Sequence, residues 1–139
     1  ESWISITNIP LDLTTLDVFK MSDINNIIDT IKSENYRKFF YELTRFTIAT
    51  NMWFRETHNK KWFFVHDANC IWYLLYPHIY IWTNFYINIV TNGELTSWQT
   101  IVDNRNHPQP ITNAHTLFNF KNDRFLEAIT EDFKDFDFA

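Results

Sequence analysis

The stretch IYIWTNFYINIVT, residues 79–91, decides the fold. It is built from β-branched and aromatic residues with Asn, and it holds no Ala, Leu, Glu or Lys, a composition that fits a pleated strand better than a helix. Alternation places Ile79, Ile81, Thr83, Phe85, Ile87 and Ile89 on one face and Tyr80, Trp82, Asn84, Tyr86 and Asn88 on the other. The first face suits a core and the second is semi-polar. A helical reading of residues 69–92 competes with this one, favoured by the near absence of glycine and ended by Gly93. Pro77 inside the run, and His78, Asn84 and Asn88 without evident partners, argue against a membrane-spanning version of that helix.

On the N-terminal side, residues 62–65 and 71–76 form two further apolar runs, separated by His66-Asp67-Ala68-Asn69 and closed by Pro77-His78. Both separators suit turns. Upstream, Ile24, Ile27, Ile28 and Ile31 keep the spacing of one apolar helical face, with Ser22 or Asp23 placed to cap it. This predicts a helix over about 23–33. Phe39, Leu43, Phe46, Thr50 and Trp53 repeat the spacing and predict a second helix over 35–57, packed through that stripe. On the C-terminal side, Asn92-Gly93 reads as a hairpin turn into residues 95–102, and residues 103–113, with Pro108 and Pro110, read as a loop. Phe125, Ile129, Phe133 and Phe136 predict a terminal helix over 123–134, opened by Asp123.

These elements define an α+β domain: an N-terminal helix pair and a C-terminal helix packed on an antiparallel sheet over about 61–102, with an all-α bundle as the alternative. The 139 residues fit one globular domain, 1–139. An aromatic share of 19%, with fourteen Phe, six Tyr and six Trp, calls for a core packed with rings. The single cysteine, Cys70, and the absence of any Asn-x-Ser/Thr sequon give no support to secretion and suggest a cytoplasmic setting. Glu1 at the first position points to an excised domain or a processed product.

The net charge of −5 disfavours binding to a phosphate backbone, so nucleic acid is not an expected partner. Charge is nonetheless segregated. Seven of the twelve basic residues lie between Lys32 and Lys61, whereas the chain from Asp123 onward carries six acidic residues against Arg124 and Lys134. One glycine cannot build a P-loop, a dinucleotide fingerprint or a nucleophile elbow, so those phosphate and hydrolase motifs are excluded.

His58, His66, Asp67 and Cys70 are ligand-competent neighbours, but their spacing matches no standard zinc pattern, and no metal or cofactor is expected from it. Cys70 as a nucleophile with His66 or His78 as base conflicts with its apolar neighbours Ile71, Trp72 and Tyr73. His66, Asp67, His78 and Asp103 are the candidates for acid–base chemistry. Gly93, Trp98, Ile101 and Val102 faintly resemble a Bcl-2-like signature, which Gln99 and Thr100 break. The order of two helices followed by an antiparallel sheet resembles the NTF2-like cone.

The expected function is a non-catalytic protein-binding module, such as an inhibitor, an immunity protein or a viral interaction factor. Its surface would combine Tyr80, Trp82 and Tyr86 with the acidic Asp132, Asp135 and Asp137, which suit a basic protein partner. No catalytic residue is assigned. The alternative is an enzymatic or small-ligand domain of NTF2-like type, its pocket lined by Trp62, Tyr73, Tyr80 and Trp82 with His66 or His78 as the polar group.

Overall fold

The computed structural model describes residues 4–16, 18–52, 60 and 62–134, with the side chains of Asn122 and Asp123 outside that description. The order is β1 (Thr7–Asn8), α1 (Leu11–Thr14), β2 (Val18–Lys20), α2 (Met21–Thr30), α3 (Glu34–Asn51), β3 (Trp62–Phe64), α4 (Ala68–Leu75), β4 (Tyr80–Phe85), β5 (Ile87–Ile89), β6 (Thr100–Val102), β7 (Ala114–Phe120) and α5 (Asn122–Lys134). The fold is α+β. Its strands form three small sheets among the described residues: β1-β7-β4, β2-β3 and β5-β6.

The central strand is β7. It pairs antiparallel with β4, from Tyr80↔Phe120 to Phe85↔Ala114, and parallel with β1 through Thr7↔His115 and Asn8↔Thr116. A register shift between Ile81 and Trp82 breaks the simple alternation of β4. Accordingly Ile79 and Tyr80 are buried while Ile81, Trp82, Thr83 and Asn84 are all exposed, so neither face of this strand is uniformly core. The β5–β6 hairpin is real, but its connection is longer than a two-residue turn. The Val90 N–H donates to the Gln99 carbonyl at 2.9 Å, and Trp98, at φ 69°, supplies the left-handed residue.

The helix α2 buries Ile27 and Ile28 as its periodicity requires, Ile31 just past its end is buried as well, and the Asp23 carboxylate accepts the Lys20 backbone N–H at 3.1 Å at its start. In α5, Phe125 and Ile129 are buried by the same logic. The helix α3 departs from expectation. Phe39, Leu43 and Phe46 are exposed, and the inward side is instead Phe40, Thr44, Thr47 and Ile48. Adjacent Phe39 and Phe40 offered two possible stripes, and Phe40 prevails by meeting Phe133 of α5 edge-on at 4.7 Å. Trp53, the last residue of the expected stripe, lies outside the described residues.

Residues 68–75 are helical, although the apolar run 71–76 reads equally well as a strand. The Asn69 side-chain amide donates to the Val65 carbonyl at 3.0 Å and locks the first turn, and Pro77 ends the segment. Around this frame Phe19 stacks on Phe63 at 5.8 Å, and Phe125 meets both Trp72 at 4.8 Å and Phe120 at 5.3 Å. Part of the aromatic surplus is therefore a core of rings, while Phe39, Phe46, Trp82, Trp98 and Phe118 are exposed. No described helix is long and apolar enough to cross a membrane.

Leu117, at the middle of β7, is 0% exposed. Leu117→Ala is expected to cost about 2–5 kcal/mol of unfolding free energy through lost burial and the cavity left behind. Urea denaturation followed by tryptophan fluorescence measures it, and a loss under about 1 kcal/mol would show that β7 is not the centre of the core.

Candidate functional site

The strand β3 ends at Phe64, and Val65 then carries the chain to His66 and Asp67 immediately before α4. A histidine and a carboxylate thus sit where a strand hands over to a helix N-terminus, where backbone N–H groups and the helix dipole favour negative charge. Asp67 is exposed, and its side chain makes no capping bond to α4.

His66 is half-buried and held from the opposite end of the chain. Its Nδ1 lies 2.7 Å from Oγ1 of Thr14, which is itself 2% exposed, and the Thr14 hydroxyl donates to the Leu11 carbonyl at 3.3 Å. When the imidazole is protonated, Nδ1–H donates to Oγ1 and the Thr14 hydroxyl keeps its bond to the Leu11 carbonyl. The other ring nitrogen, Nε2, is then the one that can exchange a proton with a bound molecule. Phe64 flanks the imidazole at 5.3 Å. Beside Phe64 and Val65, a 250 Å³ apolar cavity reaches in among Ile27, Phe40, Thr44 and Trp72.

Of the remaining acid–base candidates, Asp103 is engaged elsewhere and His78 stands exposed. Asp103 is buried in the loop after β6, where its Oδ1 and Oδ2 accept the Arg105 Nε and Nη2 at 2.7 and 2.8 Å and the Gln109 N–H at 3.0 Å. The Arg105 guanidinium, with the Gln109 N–H, holds this carboxyl well below the usual carboxylate range, so it cannot serve as a proton donor near neutral pH. His78 is exposed in the turn after α4. His115 bonds the Tyr73 hydroxyl at 3.0 Å through Nε2. Among the described residues no three or more His, Cys, Asp and Glu side chains gather as a metal site. His58 lies outside those residues, and Cys70 is exposed rather than buried.

The described residues expected to form a binding surface differ in exposure and engagement. Tyr80 is buried, its hydroxyl donating to Oδ1 of Asn69 at 3.0 Å. Trp82 is exposed and lies against the His115 ring at 4.1 Å, while Tyr86 is half-buried and its carbonyl accepts the Asp103 N–H at 2.9 Å. Asp132 accepts a hydrogen bond from the Tyr76 hydroxyl, and Asp135 and Asp137 lie outside the described residues. None of Trp62, Tyr73, Tyr80 or Trp82 lines the apolar cavity. Thr14 carried no signal in the sequence, because a hydroxyl's partner across fifty-two positions is fixed only by the fold.

The fold is α+β, and it sets His66 and Asp67 side by side on a strand-to-helix junction. Residues 1–127 match the model of the inosine-uridine preferring nucleoside hydrolase family, and the chain belongs to that family. No curated protein sequence matches the chain. Among solved structures it resembles the purine-preferring ribonucleoside hydrolase from Gardnerella vaginalis, with a TM-score of 0.73 and 18% identity, over 94% of this chain and 40% of that one. It also resembles an inosine-guanosine nucleoside hydrolase, with a TM-score of 0.66 and 15% identity, over 86% and 36% of the two chains. A plant nucleoside hydrolase gives a TM-score of 0.70 and 13% identity, over 90% and 40%. The chain therefore spans about two-fifths of the length of these structures.

Family membership overturns the expectation of a non-catalytic protein-binding module, and with it the inhibitor, immunity-protein and viral-factor readings and the basic protein partner. The family is one of enzymes, not of binding modules. The enzymatic alternative is the better supported, in a family other than the NTF2-like one. Of the residues expected to form that surface, Tyr80 is buried in the core and Asp132 is engaged by Tyr76.

That last contact has a measurable signature. The hydrogen bond to Asp132, then burial and the nearby negative charge, push the Tyr76 hydroxyl up to about 12 from its ordinary 10. Since the folded state holds this proton more tightly than the unfolded chain, the contribution to stability is full below pH 10 and fades as pH rises toward 12. Spectrophotometric titration at the phenolate band should find one tyrosine ionising late, and Asp132→Asn should bring its midpoint down by at least half a unit. An unmoved titration curve would remove the pairing.

Proposed function

We propose that the chain forms part of a nucleoside hydrolase, with His66 and Asp67 as the catalytic groups that this portion contributes. Membership in the nucleoside hydrolase family supports the reaction class, and the anchoring of His66 Nδ1 by Thr14 supports the residue assignment. A nucleoside, a base joined to a ribose, is the substrate class. The lone exposed cysteine accords with a cytoplasmic setting, and residues 1–139 are taken as one globular unit.

Hydrolysis of an N-glycosidic bond breaks C1′–N, with the bonding pair leaving on the base nitrogen, and joins a water oxygen to C1′. The base must gain a proton, the water must lose one, and positive charge builds on the sugar in between. In its protonated form His66 offers an Nε2–H, since Nδ1–H is committed to Thr14, and delivers that proton to the departing base. Asp67 supplies, one residue away, a carboxylate that makes no capping bond to α4. It stabilises the cationic sugar and accepts the proton released by the attacking water. Phe64 restricts the imidazole from one side, so its orientation does not have to be found during each turnover.

The test is release of base from inosine and uridine by the protein as isolated, in the assembly that carries activity. His66→Ala and Asp67→Asn should each lower kcat by about 10²–10⁴-fold, the usual contribution of a positioned acid or base. Circular dichroism verifies that the variants fold. Variants that fold and turn over at the unsubstituted rate would overturn the assignment.

A further inference from the structure

We propose that Asn69 is a positioning residue for His66, acting on the backbone of the strand-to-helix junction, and that the Tyr80 hydroxyl holds its amide in the working orientation. The inference rests on the catalytic role given to His66. Asn69 is the outlier of α4. That helix, ANCIWYLL, holds one amide side chain and no charge, and it buries the amide completely while leaving Ile71, Leu74 and Leu75 exposed. Hydrophobicity alone would choose the reverse. Asparagine is a poor helix former, and burying its amide costs free energy unless the amide is hydrogen-bonded.

Both ends of the amide are engaged. Nδ2 donates to the Val65 carbonyl at 3.0 Å, and Oδ1 accepts the Tyr80 hydroxyl at 3.0 Å. The Asn69 backbone N–H goes to the His66 carbonyl at 3.3 Å, so the side chain gives Val65 the donor that an α-helix would have offered from the backbone four residues on. The Val65 carbonyl and the His66 N–H share one rigid peptide plane. Fixing that carbonyl therefore fixes the backbone from which the His66 side chain projects. Thr14 holds the far end of the same side chain at 2.7 Å from Nδ1. The imidazole is secured at its root by Asn69 and at its tip by Thr14.

Tyr80 completes the device. Its hydroxyl occupies Oδ1 and leaves Nδ2 for Val65, whereas a reversed amide would set Oδ1 against the Val65 carbonyl oxygen, two acceptors with no proton between them. The ring is itself held, 5% exposed and edge-on to Tyr73 at 5.7 Å, one turn along α4 from Asn69. Because Tyr80 pairs with Phe120 of β7, the junction is tied to the central strand.

The test compares Asn69→Leu, Tyr80→Phe, the two combined, and His66→Ala, in the assembly that carries activity. Asn69→Leu should lower kcat for release of base from inosine by about 10–10²-fold, the cost of a misplaced catalytic group, with KM changed by less than about twofold. Tyr80→Phe should lower kcat severalfold. Removing both polar partners should restore part of the stability lost in Asn69→Leu but none of its kcat. In ¹⁵N spectra the Nδ1–H of protonated His66 should exchange with water faster in both single variants, a readout that needs no turnover. If Asn69→Leu fails to fold, Tyr80→Phe decides by the same measurements. Folded variants with unchanged kcat beside an impaired His66→Ala would overturn the positioning role alone, as would recovery of kcat together with stability in the double variant. Full turnover by His66→Ala would overturn the role of His66 and this inference with it.

Discussion

Everything that positions the candidate site hangs on β7. Its residues Ala114, Thr116, Leu117 and Phe120 are buried, and the strand holds β4 on one side and β1 on the other. The short helix α1 packs against it. Without β7 the N-terminal segment would have no seat, and Thr14 could not stand 2.7 Å from His66. The orientation of the imidazole is thus set by a strand that contributes no group to the chemistry, an instance of a site held by elements remote from it.

Much of the architecture was legible because it obeys local periodicity. The apolar spacings of α2 and α5 were strong, and Tyr80–Phe85 and Ile87–Ile89 carried the β-branched and aromatic composition of strands. What escaped depends on distant partners. The strand β7, AHTLFNF, follows a proline-containing loop and becomes central only by pairing with β4, which precedes it by more than a hairpin's reach. The inward face of α3 was misjudged because Phe40 and Phe39 are neighbours, and only the position of Phe133 decides between them. In α4, a run of apolar residues compatible with either conformation was settled by the Asn69 amide and by Pro77.

The chemistry was half legible. His66 and Asp67 stood among the acid–base candidates, but nothing in the sequence ranked them above His78 or Asp103. The structure removes Asp103 by tying it to Arg105, while His78 stays exposed and His66 differs from it in having one nitrogen anchored by Thr14. The shortage of glycine, read as excluding phosphate-cradling loops, was given too much weight against catalysis in general. A nucleoside carries no phosphate, so a family acting on nucleosides has no need of such loops.

The most direct measurement of the central claim is product analysis in phosphate-free buffer. The protein isolated from its source, incubated with inosine or uridine in water enriched in ¹⁸O, should release free base together with ribose labelled at C1, because water is the atom donor. Cleavage that requires added phosphate, or no cleavage of either nucleoside, would contradict the account.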